Sequence, residues 1–296
     1  MKINYIKTAA FLLLTLSGTA LSAQINPLGS MYFQNQYLGN PAMAGTERGM
    51  DLNLALRKQW TNIPGSQSIQ TLTGEYGLSD KVGVALNIFN DQSGLFRHTR
   101  SVATYAYHLP LGDAAQHLSF GLSLGLMNER ISTEDINGDP NDAMAASYND
   151  RENYLDGDFG LAYVGSRLTF QAALPNMKSF LKKDLNSSSV DRSTFFSAIS
   201  YKLSLSEGVE GFGLEPKVVY RGVRGFDNIL DAGANLTYAN RLNLFGMYHS
   251  TNAATFGVGM NYNSFGVSGM YTTATSALSN YANGNFELSI NLKFFK

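Results

Sequence analysis

The chain has 296 residues, 15% of them charged, and a formal net charge of −1, a balance that gives no electrostatic basis for a nucleic-acid partner. It contains no cysteine, which excludes a disulfide framework and thiolate metal sites. Tyrosine, phenylalanine and glycine are abundant.

The chain opens "MKINYIKTAAFLLLTLSGTALSAQ". Lys2 and Lys7 form a basic region, Ala9 to Leu16 a short apolar core, and small residues follow, the layout of a secretory signal peptide. Cleavage is expected before Gln24, with Gly18-x-Ala20 as a second site. The apolar run is too short to span a bilayer, and no later run is long enough to do so as a helix. The expected division is a signal peptide over 1–23, a periplasmic N-terminal segment over 24–49 and a barrel over 50–296. The 24–49 segment either folds into the lumen as a plug or docks a partner.

From residue 50 onward the pattern has period two. In "HLSFGLSLGLMNER", Leu118, Phe120, Leu122, Leu124 and Leu126 alternate with Ser119, Gly121, Ser123 and Gly125. "MDLNLALRKQ" and "KVGVALNIF" repeat the idea earlier, and the chain ends on "FELSINLKFF". Fourteen such runs are expected, near 50–59, 68–77, 81–90, 97–109, 117–130, 153–164, 166–174, 193–204, 212–221, 229–239, 241–250, 253–262, 264–273 and 284–295. An even number of strands of about ten residues with alternating faces is what a transmembrane β-barrel requires. In hydrocarbon every backbone polar group must be paired, so the last strand must close on the first.

The connections sort by length. With strand 1 running outward, the even-numbered connections are short ("GS", "NR", "NS"), whereas 131–152, 175–192 and "TATSALSNYAN" fall on the odd side with "NDQSGLFR". Outer-membrane barrels have short periplasmic turns and longer outer loops. The fold class expected is therefore all-β, an antiparallel up-and-down outer-membrane β-barrel of about fourteen strands.

Arg57, Glu75, Glu215, Lys217, Glu287 and Lys293 take inward parity, as lumen charges whose cross-strand pairing would fix register. Arg57 is expected to meet Glu75 or Glu287. Trp60, the only tryptophan, shares outward parity with Leu52, Leu54 and Leu56, as in an interface girdle. His98, His108, His117 and His249 show no metal-ligand spacing, and no Ser-His-acid set stands out. Asp135, Asn137 and Asp139 are spaced like the start of a calcium loop, but Pro140 and Ala146 stand where Gly and Glu are needed. A solvated acidic loop is the reading there. No enzyme activity, cofactor or metal is expected.

Three motifs carry a resemblance. Asn40-Pro41-Ala42-x-Ala44-Gly45, then Arg57-x-Gln59-Trp60 with Ile63-Pro64-Gly65, then Asn90-Asp91-x-x-Gly94 stand in an order and spacing similar to the PorP/SprF family of Bacteroidetes outer-membrane proteins. The likeness covers essentially the whole mature chain, with Met43 where the family often has an aromatic residue. It implies a role in type IX secretion and gliding motility. The partners implied are periplasmic ring and peptidoglycan-linked proteins of that machine, or one large secreted adhesin. The motif residues Asn40, Pro41, Gly45, Arg57, Gln59, Trp60, Pro64, Gly65, Asn90, Asp91 and Gly94 would be structural or partner-facing. The rival reading is a passive outer-membrane channel for small solutes.

Overall fold

The computed structural model describes residues 30–112, 116–133, 143–150, 152–178, 193–206, 211–223, 227–274 and 282–294. The strands are β1 (Gly49–Gln59), β2 (Ser68–Ser79), β3 (Val82–Ser93), β4 (Phe96–Pro110), β5 (His117–Ile131), β6 (Tyr154–Val164), β7 (Leu168–Leu174), β8 (Ser193–Tyr201), β9 (Leu203–Ser204), β10 (Phe212–Val223), β11 (Ile229–Tyr238), β12 (Leu242–His249), β13 (Ala253–Tyr262), β14 (Phe265–Thr272) and β15 (Asn285–Phe294). Each pairs antiparallel with its neighbours, and β1 pairs β15 from Met50↔Phe294 to Gln59↔Asn285. The two-residue β9 continues β8 along β10, so the closed barrel has fourteen strands. The break at Lys202 lies opposite Glu215 and Pro216. Proline has no N–H to give the ladder there.

Burial is inverted relative to a water-soluble protein. Along β5, Leu124 is 62% exposed while Ser119 is fully buried. The same inversion holds around the barrel. Leu54, Leu86, Leu244, Phe256 and Leu288 are exposed, and Arg221, Asp231, His249 and Glu287 are buried. Only a hydrocarbon solvent makes this the stable arrangement, because it satisfies the apolar face and leaves the polar face to the lumen. Aromatic side chains crowd the short-turn rim, among them Phe212 and Tyr238, whose rings lie 4.8 Å apart.

The connections alternate as the loop lengths demand, with tight turns at 80–81, 165–167, 239–241 and 263–264 on one rim. One expected long-side loop is a turn. β3 runs to Ser93 and β4 begins at Phe96, because Gly94 adopts φ +56° and reverses the chain at once. The acidic stretch contains a short helix, α1 (Ala143–Asn149), where a loop was expected. Residues 134–142 and most of 175–192, including 180–191, lie outside the described residues, as do residues 1–29 with the expected signal peptide.

Of the two expectations for the 24–49 segment, the structure has the lumenal plug: residues 30–45 lie inside the barrel, and 46–48 are exposed at the rim. Three 3-10 turns, η1 (Met31–Phe33), η2 (Gln36–Leu38) and η3 (Pro41–Met43), lead from the long-loop rim to the short-turn rim. The lumen-facing glycines leave room for it. A Cβ on Gly121 would overlap the Pro41–Ala42 backbone, and one on Gly83 would overlap the Ala44 carbonyl. Gly121→Ala is expected to destabilise the barrel by about 1–3 kcal/mol through overpacking. Gly246→Ala, whose new methyl meets nothing nearer than 3.9 Å, should leave the unfolding midpoint in detergent unchanged.

Candidate functional site: the lumenal plug and its anchors

The plug is held by side chains from most of the barrel wall. At the long-loop end the Ser30 amide donates to both oxygens of Glu287 at 3.0 Å. The Ser30 hydroxyl meets Thr255 at 3.0 Å. Tyr32 donates its phenol to Asp231 Oδ2 at 2.5 Å. Its ring packs edge-on against Phe196 at 5.9 Å, and the Arg221 guanidinium lies over its face at 5.2 Å. Phe33 stacks on Phe245 at 6.2 Å, and Lys217 Nζ donates to its carbonyl at 3.2 Å.

Around Tyr32 the wall forms one buried polar cluster. Asp231 is bound by Arg221 Nε at 2.8 Å and Nη2 at 2.7 Å. Its other oxygen faces His249 Nδ1 at 2.6 Å, and His249 Nε2 faces the Thr255 hydroxyl at 2.7 Å. The Nδ1 nitrogen must donate to the carboxylate, so in the neutral ring Nε2 accepts from Thr255. This relay has the bond order of a nucleophile–base–acid set. The Thr255 hydroxyl, however, is fully buried beneath Ser30 and also meets Thr272 at 2.7 Å. Sequence reasoning missed the cluster because its members lie on separate strands, with no spacing signature. Their shared inward parity was the available signal.

Lower in the lumen, Asn35 Nδ2 donates to Thr73 at 2.8 Å, and the Tyr37 and Thr104 hydroxyls lie 2.7 Å apart. The first family motif forms the foot of the plug. Asn40 caps η3 by accepting from the Ala42 amide at 3.0 Å, and its Nδ2 donates to the Leu161 carbonyl at 2.9 Å. Pro41 takes the first position of η3, where its missing N–H costs nothing. Gly45 has φ +62° against Tyr76 and Gly83, and its amide donates to Glu75 at 3.1 Å. His108 Nε2 lies 3.2 Å from the Ala44 carbonyl. Arg48 then clasps Asp80 with two bonds of 2.6 Å before β1 begins.

The second and third motifs meet at the opposite rim. The Gly94 amide donates to the Gly65 carbonyl at 2.8 Å, and both glycines have positive φ. Gln67 Nε2 donates to Asp91 at 2.8 Å, and Thr99 donates to Asn90 at 3.2 Å. Trp60 has φ +47°, so the parity of Leu52–Leu56 ends before it, and its amide donates to the Gly284 carbonyl at 3.3 Å. The turn then continues through Pro64. Gln59 is buried, and its amide donates to the Gln67 carbonyl at 3.0 Å.

Of the lumen charges, Arg57 sits opposite Glu287 in register and 3.8 Å from it. Glu75 is not its partner, because the register places Glu75 opposite Asp51 and Arg57 opposite Ile69. Lys293 meets Glu47 at 2.8 Å and Asp51 at 3.7 Å, and Lys217 lies 3.9 Å from Glu215.

Closed fourteen-strand architecture, a hydrocarbon-adapted exterior and a polar lumen define an outer-membrane β-barrel, here filled by its own N-terminal segment. The family described as type IX secretion system membrane protein PorP/SprF matches residues 21–292, and the chain belongs to it. No curated protein matches the chain. Among solved structures it is similar to the Acinetobacter baumannii outer membrane protein Omp33, with TM-score 0.50, 10% identity, and coverage of 84% of this chain and 100% of that one. It is also similar to the Pseudomonas putida toluene transporter TodX, with TM-score 0.46, 9% identity, and coverage of 87% and 93%. At 10% identity the likeness to Omp33 is one of fold.

Proposed function

We propose that this barrel serves type IX secretion as a sealed docking component of the outer membrane and not as a passive pore. The observation that carries the reading is the plug. It crosses the lumen from one rim to the other, and its anchors include buried, charge-assisted bonds at Asp231 and Glu287. Such bonds are costly to break singly. A wall so heavily committed to holding an N-terminal segment disfavours a passively open pore. The buried Asp231–His249–Thr255 relay supports a non-enzymatic role, since it is engaged by Ser30 and Tyr32. The short-turn rim would face the periplasm and its ring or peptidoglycan-linked proteins. The long-loop rim would face outward, toward a large adhesin.

Pull-down of the tagged protein from native outer membranes in mild detergent tests this. Recovery of a giant surface protein supports a cargo-dedicated anchor. Recovery of periplasmic ring and peptidoglycan-binding proteins supports a fixed machine part. If neither is recovered, the docking role is wrong.

A further inference from the structure

In its lower half, below Phe33, the plug leans on the wall formed by β2 to β7, leaving the wall from β10 to β1 partly uncovered. Between that wall and the plug lies a cavity of about 470 Å³, within the range of roughly 300–1,000 Å³ typical of ligand sites. It reaches the short-turn rim at Asn240, Asn263 and Ser264. Gly259 and Gly266 at lumen-facing positions help make the space.

Its lining is dominated by one side chain. Asn53, Asn235, Asn243, Asn261 and Asn291 project from five strands, and Asn35 comes from the plug. A primary amide offers a carbonyl acceptor and an N–H donor, the same pair that a peptide group presents. The charges lean one way. Glu47, Asp51, Glu75 and Glu215 line the cavity against one basic residue, Lys293, which is already bound to Glu47 and Asp51. Three oxygens, Asn35 Oδ1, Asn235 Oδ1 and Glu215 Oε1, are out of solvent with no hydrogen-bond partner among the described residues. Asn235 and Glu215 face each other across one strand pair. Glu215 Oε1 already lies 3.9 Å from the Lys217 ammonium, so the acceptors left without a donor are the two asparagine oxygens.

We infer that this cavity binds a short, lysine-bearing polypeptide segment entering from the short-turn rim, its backbone N–H groups meeting the asparagines and its ammonium the acidic lining. The inference rests on the barrel and its plug, and holds whether or not the secretion partners proposed above are correct.

Isothermal titration of the purified full chain in detergent tests it, with tetralysine, spermidine and tetraglutamate as probes. Tetralysine should bind saturably and tetraglutamate should not. Spermidine should bind about tenfold more weakly, because it has no amide groups for the asparagines. Glu215→Gln, which keeps shape and removes charge, should weaken tetralysine about tenfold, and Asn261→Ala at the exposed mouth severalfold. Asp150→Asn, on the opposite rim, should change nothing. Heat-dependent gel mobility checks that each variant is a folded barrel. Absence of saturable tetralysine binding, or unchanged affinity in both cavity variants, overturns the site. Equal binding of spermidine overturns the polypeptide class.

Discussion

A chain lacking residues 30–44 is expected to form an open pore. In planar bilayers the intact protein should show little conductance, and the shortened barrel at least about tenfold more, since a fourteen-stranded barrel is wider than the eight-stranded kind that side chains alone fill. The reason is geometric. Met31, Tyr32 and Phe33 pack in the lumen with Phe196, Phe245 and Met247, and the plug supplies these three of the eleven buried residues of the cluster. A gentler variant guards against failed assembly: Tyr32→Ala with Phe33→Ala keeps the chain length and removes the ring contacts. It should show intermittent openings. If a folded, plug-free barrel stays closed, the lumen is sealed by the strands themselves, and the plug is not the barrier.

The second large effect lies at Asp231 and Arg221, both 1% exposed and joined by a hydrogen bond of 2.8 Å and an ion-pair contact of 2.7 Å. Asp231→Ala strands a buried guanidinium and also removes the acceptor of Tyr32 and His249. Breaking such a pair from one side costs about 3–5 kcal/mol. Replacing both members, Arg221→Met with Asp231→Leu, removes the uncompensated charge and should recover most of that loss. Urea unfolding in detergent reads both variants. A single substitution costing under about 1 kcal/mol would mean that water reaches the pair and that the cluster does not lock the plug.

Much of this architecture is legible residue by residue. The alternation of Leu118–Leu126 with small residues marks a strand with a lipid face and a lumen face, and fourteen such runs lie within a few residues of the strands in the barrel. Loop lengths arrange the connections on two rims. "NDQSGLFR" is not a long loop, because a left-handed glycine allows a two-residue reversal, and at 24–49 the choice between plug and docking segment was settled only by the barrel. A segment without period two gives no parity, so the sequence does not say whether it enters the barrel or leaves it.

Which side of each strand meets hydrocarbon is written in the chain, because period two is local and hydrocarbon admits no unpaired backbone. The sequence also places Arg57, Glu75, Glu215, Lys217, Glu287 and Lys293 on the lumen face. Which of these side chains meet depends on the assembled barrel. Register sets Arg57 against Glu287 and carries Glu75 away to the Gly45 amide. Barrel closure then gathers Arg221, Asp231, His249 and Thr255 from four strands around Tyr32. Face is a property of each residue's neighbours in the chain, whereas register and closure depend on the summed pairing of all the strands.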